Sequence, residues 1–195
     1  MVPGSFANFP LRLREALARR TPETIEAEGA RNAAVAVIVS LESDPALLFV
    51  KRLEREADPW SGHAAFPGGF RSHPGESPIQ TAERETEEET GLPLASAGSV
   101  IGRLDDVYPR STLLPKVIVS PCVFTVPGLV PVRAVGEIAE ALWVPVSEVF
   151  SQSNRKPYRL VGPAGEREFD SVHVGGLVIW GLTERILSQI ATLFK

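Results

Sequence analysis

A single cysteine, Cys122, among 195 residues excludes an internal disulfide. With no cross-link to protect, the chain suits a reducing compartment, and a cytoplasmic location is expected. No apolar run approaches the roughly 20 residues of a membrane helix. The N-terminus also lacks the basic start and long apolar core of a signal peptide, so no membrane association is expected. Positive charge is short as well: 20 Lys and Arg against 24 Asp and Glu leave a net charge of −4 and a pI near 5.5. Nucleic-acid binders are normally basic, which argues against nucleic acid as a partner. A nucleotide substrate stays open, because a bound metal supplies the positive charge that phosphates need. Repeats and low-complexity tracts are missing too. What is present, 44% hydrophobic and 23% charged residues, is ordinary globular composition at a length suited to one domain with a real core.

The densest information lies in Glu76–Leu92, E-S-P-I-Q-T-A-E-R-E-T-E-E-E-T-G-L, directly after Phe66-Pro67-Gly68-Gly69. Both ends of a helix are written there. Ser77 is an N-cap, Pro78 falls at the first helical position, and Gln80 completes a capping box. Gly91 caps the C-terminus, and Pro93 prevents continuation. On a helical wheel, Ile79, Ala82, Thr86 and Thr90 form the stripe that faces the protein body. Glu85, Glu88 and Glu89 share a neighbouring arc, while Glu83 and Glu87 point elsewhere. Arg84 stands four residues before Glu88, within pairing reach along the helix. Three crowded carboxylates beside a buried stripe repel one another unless a cation neutralises them. Oxygen-only ligands favour Mg²⁺ or Mn²⁺ over zinc. A solvated acidic face is the plain alternative, but the capped helix, the Gly-Gly turn and the sorting of the acids favour metal.

These residues resemble the Nudix box, G-x5-E-x7-R-E-U-x-E-E-x-G-U, where U is a bulky aliphatic residue. Glu76, seven intervening residues and then Arg84 through Leu92 match it. Thr86 stands where an aliphatic residue is usual. Six residues rather than five separate Gly69 from Glu76, which predicts a bulge within Phe70–Gly75. The resemblance implies a Nudix α/β/α sandwich, an α/β fold with a mixed β-sheet between helices. It implies Glu85, Glu88 and Glu89 as metal ligands, with the Gly69 carbonyl as a fourth, and Arg84 as an orienting partner for a carboxylate. Two roles are open to Glu76: holding an outer-shell water or pairing with Arg84.

Elsewhere, Leu11–Arg20 reads as an amphipathic helix and Thr21–Asn32 as a polar connection, so residues 1–32 precede a main domain at 33–195. Strands are expected at Ala33–Ser40, Ala46–Arg52, Ser99–Tyr108, Lys116–Val126 and Ala139–Val146. Val130–Gly136 reads as an exposed loop. Tyr158–Val161 and Phe169–Val174 are expected to form a hairpin across Gly162–Gly165, and Leu177–Phe194 a helix. Cys122 belongs to a buried strand.

Gly136-Glu137-Ile138-Ala139-Glu140-Ala141-Leu142-Trp143-Val144-Pro145 resembles the Nudix segment in which an acid about six residues before the tryptophan binds metal or acts as base. That favours Glu137 over Glu140 as the catalytic base; a loop-capping role for Glu137 is the alternative. A second resemblance concerns substrate. Leu47–Arg52 and Ser61–Gly69 are similar to the signature that precedes the box in coenzyme A pyrophosphatases, although Glu76 stands where aspartate is common there. Ile179–Thr183 and Arg185–Leu187 resemble the same group. This implies cleavage of coenzyme A or its acyl derivatives to 3′,5′-ADP and (acyl-)4′-phosphopantetheine. Lys51, Arg52 and Arg55 are candidates for a 3′-phosphate, His63 for a substrate contact and Trp60 for stacking on adenine. Solvated charge or simple packing is the alternative for each. The competing functions are hydrolysis of another nucleotide (ADP-ribose, NADH or dinucleoside polyphosphates) and a non-catalytic nucleotide sensor. A homodimer is compatible with the resemblance.

Overall fold

The structure is a computed structural model that describes residues 6–53, 63–109, 115–162 and 165–194. Its axis is β1 (Arg31–Ser40), whose apolar run is buried on both faces, as suits a central strand. It pairs in parallel with the fully buried β6 (Val117–Val126), in unbroken register from Arg31↔Val117 to Ser40↔Val126. On its other side β1 takes two antiparallel neighbours. β2 (Ala46–Arg52) meets it at Val39↔Leu47. β4 (Gly68–Phe70) meets it at Ala33–Val35. β2 also pairs with β3 (Ala64–Ala65) and, along its length, with β7 (Ile138–Pro145). β5 (Ser99–Arg103) closes the far edge against β6.

Alternate residues of β1 feed two separate cores. Ala34, Ala36 and Ile38 pack with Leu48, Cys122 and Phe124 beneath α2 (Pro78–Thr90) and α3 (Leu94–Ala97). Ala33, Val37 and Val39 pack with Leu47, Phe49 and Val123 on the opposite face. There α1 (Phe9–Ala18) contributes Phe9, Leu13 and Leu17, α4 (Val146–Val149) contributes Val146, and α5 (Gly181–Thr192) contributes Ile186, Leu187 and Ile190. The expected mixed sheet between helices is therefore present. Cys122 is fully buried, and burial pushes its thiol up to about 12. Among the described residues no helix is long and apolar enough to cross a membrane.

Four elements differ from expectation. α1 spans Phe9–Ala18 rather than Leu11–Arg20, because Pro10 is tolerated in a first turn. β5 stops at Arg103; past the Leu104 N–H, which still donates to the Pro121 carbonyl, ladder pairing gives way and a single bridge, Val107↔Val119, follows. The hairpin partner of β8 (Tyr158–Gly162) is β9 (Gly165–Phe169), so the expected strand at Phe169–Val174 divides at Asp170. Its second half, β10 (Ser171–Val174), turns back at once onto β11 (Leu177–Trp180). Residues 177–180 are thus strand, not helix. Gly175 and Gly176 both have positive φ, 57° and 79°, as a two-residue primed hairpin turn requires, and this turn overrides the helical spacing that follows. α5 begins only at Gly181.

Candidate active site

α2 begins and ends where the capping residues place it. Ser77 Oγ accepts from the Gln80 N–H, the Gln80 side chain accepts from the Ser77 N–H, and Gly91 takes a left-handed φ of 67°. Thr81, Ala82, Thr86 and Thr90 are the buried face. Thr86 costs little in place of an aliphatic residue because its hydroxyl donates to the Ala82 carbonyl at 2.6 Å, as Thr90 does to that of Thr86. The loop before the helix folds onto Glu76. Ser72 donates its N–H at 2.7 Å and its hydroxyl at 3.1 Å to Glu76 Oε2.

Arg84 is the hub of the acids. Its Nε donates to Glu76 Oε1 at 2.8 Å and its Nη1 to Glu85 Oε1 at 2.7 Å. Nη1 also meets both Glu88 oxygens at 3.3 Å, and Nη2 donates to the Phe70 carbonyl at 2.9 Å. Of the two roles open to Glu76, pairing with Arg84 is the one seen. The Arg84 guanidinium, seconded by the Ser72 donors, outweighs burial and holds the Glu76 carboxyl down at about 2. Glu76 therefore stabilises the fold above its ordinary value of 4.5, and the contribution is lost as pH falls toward 2. Arg84→Met is expected to cost about 2–3 kcal/mol at pH 7, since it strands a buried carboxylate. Urea melts should show that deficit shrinking as pH falls from 4.5 toward 2.

The glutamates do not share one environment. Glu89 turns inward and accepts the Gly68 N–H at 3.0 Å. Burial, then repulsion from Glu85 and Glu137, pushes its carboxyl up to about 7, although the Gly68 donor and Arg52 pull it down. Glu85 lies against the Gly69 backbone, and a Cβ on Gly69 would fall 2.3 Å from Glu85 Oε2. Glu88 stays 60% exposed at its side chain. From the facing strands, Arg52 Nη2 meets Glu137 Oε2 at 3.4 Å.

Glu137 reaches this place because its loop hangs from the end of α2. The Arg133 N–H donates to the Thr90 carbonyl and the Val135 N–H to that of Glu89, both at 3.0 Å. The Glu137 carbonyl then accepts from the Leu53 N–H at 2.9 Å. The arrangement gathers Glu85, Glu89, Glu137 and Arg52, with Arg84 and Glu88 on the solvent side. Lys51 is not brought in: strand alternation points it away from Arg52, and it lies 3.6 Å from Glu140. His63 sits across from Arg52, its carbonyl accepting the Arg52 N–H at 3.3 Å. Arg55, Trp60 and the Ser61-Gly62 part of the signature lie outside the described residues. Sequence reasoning missed the Gly68 N–H, legible only as the first glycine of the Gly-Gly pair, and the Arg133–Val135 contacts, which carry no local signal.

The donor set fits a hard divalent cation. Gly69 leaves the space that Glu85 occupies, and Glu85, Glu89 and Glu137 accumulate charge that a cation would relieve. Among the described residues no three acidic, histidine or cysteine side chains stand as a preformed metal cluster; Arg84 draws Glu85 and Glu88 to itself instead.

A family model described as NUDIX domain matches residues 30–161. An uncharacterized protein of Schizosaccharomyces pombe is 36% identical over 115 residues, which cover 57% of this chain and 35% of that protein. A protein of Yersinia pestis, called an uncharacterized Nudix hydrolase, NudL, is 32% identical over 165 residues, covering 83% of this chain and 78% of its own length. The crystal structure of a MutT/nudix family protein from Enterococcus faecalis matches with a TM-score of 0.60 at 18% identity. That match covers 97% of this chain and 69% of that one, a likeness of fold.

Proposed function

The chain belongs to the Nudix family, and from that premise we propose that this hydrolase cleaves the diphosphate of coenzyme A or acyl-coenzyme A. The products are 3′,5′-ADP and (acyl-)4′-phosphopantetheine. The observation that carries the reading is the placement of Arg52. It closes the Leu47–Arg52 part of the coenzyme A signature, and its guanidinium lies 3.4 Å from Glu137 Oε2 and near enough to Glu89 to pull that carboxyl down. A cation there meets phosphate oxygens beside the acids that bind metal.

Nudix hydrolases generally use divalent metals such as Mg²⁺ or Mn²⁺. Here Glu85, Glu88 and Glu89 would hold the ion, with the Gly69 carbonyl beside them; when bound, it neutralises the diphosphate and acidifies a water. The chain's own residues do the rest. Arg52 orients the diphosphate, and Arg84 holds Glu85 and Glu88 in place. Glu137, more than half exposed and unburdened by a helix, accepts the proton of the attacking water on a carboxylate oxygen. The water oxygen bonds to phosphorus as the bridging P–O bond breaks, and the leaving phosphate keeps the electron pair. That all three box glutamates are present supports turnover over sensing.

Mass-resolved hydrolysis at pH 8 with Mg²⁺ or Mn²⁺ tests the reading on coenzyme A, acetyl-coenzyme A, ADP-ribose, NADH and diadenosine polyphosphates. Release of 3′,5′-ADP from coenzyme A as the best reaction is the expected result; preference for another substrate discards the coenzyme A assignment. In the same assay Glu88→Gln should lower kcat at least ~10²-fold. Its melting temperature should stay within about 2 °C, because an exposed side chain contributes little to stability. Near-normal activity would remove Glu88 from the ligand set.

A further inference from the structure

Beside the acids stands a group of half-buried aromatic rings. Tyr158 and Phe169 face each other at the root of the β8–β9 hairpin, Trp180 ends β11, and His63 precedes β3. Three separate segments therefore converge. The Tyr158 and Trp180 rings lie 4.7 Å apart at 31°, close to a stack, and Phe169 leans on Trp180 at 5.2 Å. His63 stands edge-on to both, 4.9 Å from Trp180 and 5.7 Å from Tyr158, with its Nε2 3.2 Å from the Tyr158 hydroxyl. The buried Trp180 Nε1 meets no acceptor among the described residues. An unsatisfied indole N–H within a ring cluster is uncommon.

Position gives the cluster its meaning. His63 shares a backbone hydrogen bond with Arg52, whose side chain contacts Glu137. Through His63 the rings are thus tied to Arg52 and, past it, to Glu137. Other aromatic side chains near the site are spoken for: Phe49 and Phe66 are fully buried against each other, and the Arg31 guanidinium lies 3.5 Å over Phe70. Phe169 and Trp180 also lie beyond residue 161, where the family match ends.

We infer that the His63–Tyr158–Trp180 corner, backed by Phe169, is the subsite for the nucleobase of the substrate. A flat heteroaromatic ring continues the Tyr158–Trp180 stack and meets His63 edge-on. A saturated acyl or pantetheine chain does neither. The inference rests on the diphosphate reading of the neighbouring site.

The test pairs kinetics with binding. Tyr158→Leu and Trp180→Leu should raise KM about 10-fold for the best substrate of the panel while kcat moves less than twofold, the scale of one lost base stack. In EDTA, AMP should quench indole fluorescence and ribose 5-phosphate or 4′-phosphopantetheine should not; Tyr158→Leu should weaken the AMP quench to the same degree. Trp143→Phe, at the far end of β7, is the control and should change neither. If Trp180→Leu fails to fold, Tyr158→Leu decides alone. Unchanged KM in folded Tyr158→Leu, no AMP quench of the wild type, or equal quenching by ribose 5-phosphate or 4′-phosphopantetheine would each overturn the inference. If ADP-ribose is cut, coenzyme A is not, and Tyr158→Leu still raises KM, the coenzyme A reading falls while the base subsite stands.

Discussion

Glu89→Gln is expected to lower kcat/KM about 10³-fold and yet leave the metal-free protein at least as stable as wild type. The amide oxygen still accepts the Gly68 N–H, so the contact that seats the side chain survives. What disappears is a carboxylate that burial, with Glu85 and Glu137 nearby, pushes from 4.5 up to about 7. The sign follows from linkage. A carboxyl whose folded value is raised favours the folded state below 4.5, and the advantage is lost as pH rises through about 7. Wild type in EDTA should therefore lose as much as about 2–3 kcal/mol between pH 4.5 and 8 that Glu89→Gln keeps. Mg²⁺ should restore wild type and hardly affect the variant. Urea melts with and without Mg²⁺ at pH 5 and 8, beside steady-state kinetics, check both halves. A variant that is inactive and also unstable in EDTA at pH 8 would show Glu89 to be structural.

The second large effect separates two adjacent glycines. Gly68→Ala should destabilise the protein by about 3–5 kcal/mol. Gly68 has a φ of 155°, and a Cβ there would lie 2.3 Å from the Ala34 carbonyl oxygen and 2.6 Å from Val35 Cα. Those are backbone atoms of the central strand and cannot step aside without parting β4 from β1. In a chain of this size the melting temperature should fall by about 10 °C or more. Gly69→Ala meets a different obstacle. Its Cβ would strike the Glu85 carboxylate, the far end of a flexible side chain. Stability should change by less than about 1 kcal/mol, but Glu85 must move off β4, and kcat should fall about 10²-fold. Thermal melts and kinetics on the pair discriminate the roles. Equal losses of activity with no loss of stability in Gly68→Ala would refute the strand-spacing argument.

Much of this was legible locally. α2 could be bounded to the residue because Ser77, Gln80 and Gly91 satisfy helix ends through contacts within a few positions. The three-carboxylate arc and the Arg84–Glu88 pair follow from helical spacing alone. β1 and β6 announce themselves as apolar runs too continuous for a surface strand. Where expectation failed, a short-range signal lost to a neighbouring one. The helical spacing of 177–194 was real from 181 onward, but the Gly175-Gly176 turn claimed the first four residues for a hairpin.

The chain by itself determined the box helix, the identity of its acids, the two-sided core strands and the membership in a family that those residues carry. Each is set by side chains close together in sequence, where capping, periodicity and spacing act without help. Tertiary structure decided which carboxylate is buried. Glu85, Glu88 and Glu89 are alike on a wheel, yet only Glu89 receives the Gly68 N–H and the burial that lifts its pKa. It also decided that Arg52 and not Lys51 reaches the acids, because a strand sends neighbours to opposite faces. The meeting of His63, Tyr158, Phe169 and Trp180 belongs to the fold as well: the first and last stand over a hundred residues apart, and only the packing of β3, β8, β9 and β11 brings their rings into one corner.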